Sequence, residues 1–209
     1  GSCGGKRLET IMKEKIPVRI TWMKNEKGKI EPEVLIDLDD IFSEGISVSK
    51  KIEKFKKRYL QFINDAKKLA KKNKQKKASD YWKLSRLLIE FNNKIEREFF
   101  IINYVEAISK DMKGFHLSKT QVSRLFQFAN YFKKNEIDDA ISYSHYRELT
   151  DKINRLVELD LFEREKKKLL ELSDKGKLPS HKPEYRNYLN KITRGDITAW
   201  ASKSIYPKS

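Results

Sequence analysis

Hydrophobic and polar positions follow two rhythms along this chain, and the change from one to the other divides it. From Pro17 the segment PVRITWM sets Val18, Ile20 and Trp22 against Arg19, Thr21 and Met23, the period of two of a half-buried strand. After Asn25-Glu26-Lys27-Gly28 the rhythm returns in KIEPEVLIDLDDIF, where Val34, Ile36 and Leu38 oppose Leu35, Asp37 and Asp39. Two such runs across a short turn containing Asn and Gly predict a β-hairpin. A lone hairpin is marginal in water, so it is expected to pack on helices or to pair with a second subunit. Upstream, Lys6 to Lys15 reads as a short charged helix or an arm.

From Ser47 or Ser49 the spacing lengthens to three and four. Ile52, Phe55, Tyr59, Phe62, Ile63, Ala66 and Leu69 or Ala70 make one apolar stripe of a long helix that is otherwise mostly lysine. Its end, Lys67 to Lys77, places cations where the helix macrodipole favours them. That lysine face serves equally as a solvated surface or as a flank for phosphates. A second long helical stretch, SDYWKLSRLLIEFNNKIEREFFIINYVEAISKDM, opens with Ser79 as candidate cap and carries Tyr81, Trp82, Leu84, Leu87, Leu88, Phe91, Ile95, Phe99, Ile102, Val105 and Ile108 on a broad apolar face. A break is expected at Asn92-Asn93, a pair of weak helix formers.

The stretch Tyr104–Thr150 reads as a short helix, a turn with Gly114 available for a left-handed conformation, a second helix opened by Ser118, a linker, and a third helix after Ser144. This is helix-turn-helix grammar. Ser118 and Gln121 match a capping box. Val122, Leu125, Phe126, Ala129 and Phe132 form the apolar stripe of the second helix, and Lys119, Thr120, Ser123, Arg124, Gln127 and Asn130 the polar one. Small polar groups and cations in the N-terminal half are what a recognition helix presents to the major groove. The plain alternative is a surface helix of a soluble bundle.

After Leu172 the pattern breaks at Ser173–Pro183, a basic linker with Gly and Pro. EYRNYLNKI then predicts a short helix, Thr193-Arg194-Gly195-Asp196 a turn, and a last helix bears Ile197 and Trp200. That end either docks its aromatics on the bundle or reaches flanking DNA with Lys182, Arg186, Lys191 and Arg194.

Charge changes the picture. Forty-six Lys and Arg oppose 30 Asp and Glu, a formal net charge of +16 with pI about 9.7 over 209 residues. Such a surplus points to a polyanionic partner, although a lysine-rich proteome would produce part of it. Cys3 is the one cysteine, in GSCGG, which reads as a vector-derived scar. Without it there is no disulfide framework and no thiolate metal site, consistent with a reducing cytosol. FFIINYV at Phe99–Val105 is too short to span a bilayer. The expectation is a cytoplasmic protein associated with nucleoid or plasmid.

Candidate catalytic groups are few. Asp37, Asp39 and Asp40 lack the spacing of a cation loop and read as a solvated strand end. Glu165-Lys166-Lys167 matches the letters of a nuclease motif, but the surrounding leucines recur at helical spacing. His145, beside Tyr146 and Arg147, has no carboxylate at a spacing that would orient it as a base, which favours a structural or phosphate-contacting role. No metal, cofactor or catalysis is expected.

The series YWKLSRLLIEF, YVEAISKDM, GFHLSKTQVSRLFQFANYF and ISYSHYRELTDKI resembles the N-terminal helical domain of the YhcG-type family, which usually precedes a PD-(D/E)XK nuclease domain. Ser144-His145-Tyr146-Arg147-Glu148-Leu149 is the most specific part, with Tyr143 where that family has tryptophan and Lys83-Leu84-Ser85 where it has a small residue. LSKTQVSRLFQFA is also similar to the helix-turn-helix of ParB-like plasmid partition proteins. The similarity covers roughly residues 78–155, and it implies a DNA-binding helical module without catalysis.

The expected fold is mainly α: a helical bundle containing a helix-turn-helix, with a small N-terminal β-hairpin. The expected layout is a scar at 1–5, a hairpin region at 6–46, a helical DNA-binding domain at 47–173 with the helix-turn-helix at 104–150, and a linker with a basic helical arm at 174–209. Double-stranded DNA is the expected partner, bound by Lys119, Thr120, Gln121, Ser123, Arg124 and Gln127 in the groove and by His145 and Arg147 on the backbone. A homodimer through the hairpin is expected, in plasmid or genome partition or transcription control. The rival is a helical adaptor for a partition ATPase or a nuclease subunit, and RNA is disfavoured because the aromatics sit at core spacing.

Overall fold

The computed structural model describes residues 15–36, 45–72 and 74–205, with side chains at 15–36, 48–72 and 74–195. The arm at Lys6, the acidic cluster at Asp37, Asp39 and Asp40, the scar with Cys3 and the side chains of Ile197 and Trp200 lie outside the described residues. The protein is mainly α with a small N-terminal sheet. In chain order the elements are β1 (Ile16–Lys24), β2 (Ile30–Ile36), α1 (Gly45–Lys72), α2 (Ala78–Ile95), β3 (Phe99–Ile101), α3 (Tyr104–Asp111), α4 (Lys119–Tyr131), α5 (Tyr143–Asp151), α6 (Ile153–Glu158), α7 (Phe162–Asp174) and α8 (Lys182–Ile205). Short 3-10 turns occupy Lys113–Phe115 and Lys134–Glu136. Two compact units emerge, one drawn from Gly1–Lys76 and Leu84–Phe126, the other from Lys77–Lys83 and Gln127–Ser209. The boundary passes through the 104–150 segment, between Phe126 and Gln127.

In the first unit β1 and β2 form the expected antiparallel hairpin, with Ile20 opposite Val34 and Val18 opposite Ile36. Asn25 builds the turn: its Oδ1 accepts from the amides of Lys27 and Lys29 at 3.0 and 2.9 Å, and Gly28 takes the left-handed φ of 74°. Pro32 is tolerated because β2 is an edge strand. Val18 and Ile20 are fully buried, in one unit with the Phe55, Tyr59, Phe62 and Ile63 stripe of α1. Phe55, Tyr59, Phe62, Phe91 and Phe99 make an aromatic cluster, with ring centroids 4.9 to 6.3 Å apart in the contacting pairs.

Two expectations about the second long stretch are corrected. The helix runs unbroken through Asn92-Asn93 to Ile95, where flanking periodicity outweighs two weak residues. Phe99–Ile101 is not helical but a third strand, parallel to β1, with Val18 opposite Ile101. A short run of aromatic and β-branched residues satisfies either period, and the unpaired edge of β1 decides for the strand. Asn103 prolongs that edge by side chain: its Oδ1 accepts from Ile20 N at 3.0 Å and its Nδ2 donates to Ile20 O at 2.6 Å.

The second unit is built on Phe128, Phe132, Tyr143, Tyr146 and Phe162, all buried. Tyr81 stacks on Tyr143 at 3.9 Å, and Trp82 Nε1 donates to Phe132 O at 2.7 Å. Ser79 does not cap α2; its amide and hydroxyl both donate to Asp139, while Asp80 accepts from Lys77 N at 2.9 Å. The expected turn at Thr193–Asp196 is also corrected, since α8 continues through it from Lys182 to Ile205. Thr193 Oγ1 donates to Leu189 O at 3.0 Å, one turn back, which removes its competition with the helix. The linker ahead of it shortens to the residues between Asp174 and Lys182.

Candidate nucleic-acid interface

Seven residues, Met112 to Ser118, join α3 to α4, more than the three or four of a compact helix-turn-helix. The 3-10 turn at Lys113–Phe115 folds them back. His116, not Gly114, takes the left-handed conformation, at φ 51°. Gly114 is needed for proximity instead: a Cβ there would stand 3.1 Å from Ala70 Cβ of α1. Ser109 Oγ donates to Leu117 O at 2.7 Å and closes the loop.

The start of α4 is the expected capping box. Gln121 Oε1 accepts from Ser118 N at 2.8 Å, and Ser118 Oγ accepts from Gln121 N at 3.3 Å. This start sets the facing of the helix. Val122, Leu125, Phe128 and Phe132 are buried, while Phe126 and Ala129 are only half-buried, so Phe128 takes the place expected for Phe126. Phe126 instead meets Tyr104 at 5.4 Å.

On the opposite face Lys119, Thr120, Ser123 and Gln127 are exposed, and Gln121 and Arg124 half-buried. Some already have local partners. Lys119 Nζ lies 3.7 Å from Glu106 Oε2 on α3, an exposed pair that costs little to open, and Ser123 Oγ donates to Lys119 O at 3.3 Å. Gln121 serves the cap, which leaves its amide nitrogen as the outward donor.

His145 and Arg147 lie on α5, in the second unit. His145 is buried, with Nδ1 2.6 Å from Ser142 Oγ and Nε2 2.7 Å from Pro179 O. A carbonyl only accepts, so Nε2 carries the proton that bonds Pro179, and neither nitrogen remains for a phosphate. The structure thus moves His145 out of the backbone-contacting set and into a clamp on the linker. Arg147 is half-buried, and its Nε is buried without a hydrogen-bond partner.

Neighbouring residues explain this inward turn. Glu148 is buried and receives a two-pronged bond from Arg186, Nε to Oε2 and Nη2 to Oε1, both at 2.9 Å, with Lys182 Nζ 3.4 Å away. Burial pushes the Glu148 carboxyl up, but the Arg186 and Lys182 cations outweigh it and hold it below its usual range. Lys182 and Arg186 are therefore engaged within the unit, rather than being the free DNA arm that the spacing suggested. The pairing of residues 148 and 186 had no local sequence signal. Glu165, Lys166 and Lys167 lie on α7, where Glu165 and Lys166 are buried. Among the described residues no His, Cys, Asp and Glu cluster could hold a metal, and no helix is long and apolar enough to cross a membrane. No family model, curated protein or solved structure matches the chain.

Proposed function

We propose that the protein binds double-stranded DNA, without catalysis, through the N-terminal half of α4. The observation that carries this reading is the division of α4 by its capping box, with Val122, Leu125 and Phe128 at 0 % exposure and Lys119, Thr120, Ser123 and Gln127 facing solvent. The net charge of +16 supports a polyanionic partner. The motifs shared with YhcG-type and ParB-like proteins support a role in partition or transcription control. Arg124→Ala tests it in a fluorescence-anisotropy titration against a duplex selected from random sequence. A loss of about 1–3 kcal/mol confined to the selected site is expected for a bidentate guanine contact. An equal loss on every sequence reassigns Arg124 to phosphate, and no duplex binding at physiological salt ends the proposal.

A second reading, that of an adaptor or a dimer joined through the hairpin, draws on the sheet. Met23, Leu35 and Phe100 share the face opposite Val18 and Ile20 and are 54, 42 and 43 % exposed. Light scattering at micromolar concentration separates these possibilities: a dimer that Leu35→Lys dissociates assigns the face to a second copy, as paired half-sites need.

A further inference from the structure

A basic groove opens in the first unit, in a place the motif reading did not reach. Its floor is Trp22 of β1, Ala66 and Ala70 of α1, and Gly114; its rim carries Lys29, Lys67, Lys71, Lys110 and Lys113. The volume is about 410 Å³, within the range of ligand sites. Small side chains make the space. Ala66 and Ala70 stand one turn apart on α1, and Gly114 approaches Ala70 so closely that no larger residue fits there.

Charge selects the occupant. All five lysines are exposed, and none forms an ion pair among the described residues. The one carboxylate in the groove, Asp111, is held from inside: Trp22 Nε1 donates to Oδ1 at 2.9 Å and Tyr59 OH to Oδ2 at 2.5 Å. Five ammonium groups therefore converge on a space where the single anion is already hydrogen-bonded to the floor. They come from three segments, the hairpin turn, α1 and the α3–α4 connection, so a single small anion would leave several unmet.

The floor argues against base recognition. Lys110 Nζ sits 3.9 Å from the Trp22 ring centroid and covers that face, and the indole N–H is committed to Asp111. Lysine is a point charge without the planar fork that reads a shape. Closely spaced phosphates match these requirements better than bases or carboxylates do.

We propose that this groove binds a chain of linked phosphates, with the phosphodiester backbone of a nucleic acid or a free polyphosphate as its source. The site does not depend on α4 reading a base.

Trp22 is a built-in reporter. Emission of the full chain is followed during titration with a short random-sequence duplex, a single strand of equal length and inorganic tripolyphosphate, with Trp22→Phe subtracted to remove Trp82 and Trp200. The expected result is a saturable change in Trp22 emission that K67A/K71A/K110A abolishes. In the duplex arm that variant should also lower the slope of log affinity against log salt by roughly 0.9 for each lysine that met a phosphate. A response to the nucleic acids assigns the groove to their backbone; a response to tripolyphosphate alone assigns it to a free ligand. Silence of Trp22 in all three arms, or equal binding and slope in the variant, overturns the proposal. Arg124→Ala, outside the groove, leaves the Trp22 response intact, so the α4 reading and this one fail separately.

Discussion

The two units draw on one lysine-rich composition and use it in opposite ways. In the second unit cations are turned inward. Lys166, at 7 % side-chain exposure, bonds Glu136 at 2.8 Å, Glu163 at 3.3 Å and Tyr131 O at 2.9 Å, with its stem against Phe132 and Phe162. Glu148 holds Arg186 and Lys182, and buried Glu165 holds Arg164 at 3.1 Å and Tyr188 OH at 3.2 Å. In the first unit the ion pairs among the described residues, such as Arg86 with Glu90, are exposed, and the groove lysines have no carboxylate at all. Net charge therefore says little about where a polyanion binds until internal pairs are set aside. What remains favours the first unit.

The sharpest way to break this comparison is Lys166→Ala. Removing one member of a buried ionic network strands its partners, at a cost of about 3 kcal/mol or more, read as a shift in the urea midpoint. A cost below about 1 kcal/mol would mean that Lys166 is no more structural than a surface lysine.

Acid probes the same network. Glu136 and Glu148 are pushed up by burial but held, on balance, below the usual 4.5 by Lys166 and by Arg186. A depressed folded value contributes stability that is complete above pH 4.5 and lost as pH falls through the folded values. Urea midpoints should accordingly stay level from neutrality down to that point and fall beneath it. Glu148→Gln should flatten that fall, and an unchanged acid limb would remove Glu148 from the account.

The first unit is expected to depend on neutral pairing instead. Asn103→Ala leaves both Ile20 backbone groups without partners on that edge, a cost of about 2 kcal/mol for two part-buried bonds. Because no titrating group is involved, the loss should be the same at neutral pH and at pH 5. A loss that varies between them would blur the distinction between the units.

Legibility followed the same division. The hairpin, the α1 stripe and the Ser118–Gln121 box were readable because each is set by residues a few positions apart. β3 was not, since Phe99-Phe100-Ile101 becomes a strand through an edge some eighty residues away in sequence. The role of Gly114 was misread for a related reason: its constraint comes from Ala70, not from its own φ. His145 was singled out in the sequence but its outward role failed, because Pro179 and Ser142 claim both nitrogens through the fold. Trp22 read as a core residue, and only the packing of α1 and the α3–α4 connection turned it into the floor of a groove. Pairings between distant segments leave no period in the sequence.

The smallest expected effect is the most informative about function. K67A/K71A/K110A removes three exposed ammonium groups that touch no carboxylate, so little native interaction is lost, and mutual repulsion among the rim charges is relieved. Ala at positions 67 and 71 of α1 is at least as good a helix former as Lys. The urea midpoint should therefore stay within about 0.5 kcal/mol of the parent or move slightly upward. Such charges, kept together around a cavity while contributing nothing to stability, are what a binding site requires and a packing role does not. If the same variant lost more than about 1 kcal/mol, the lysines would be structural, and the difference between the two units would be one of degree.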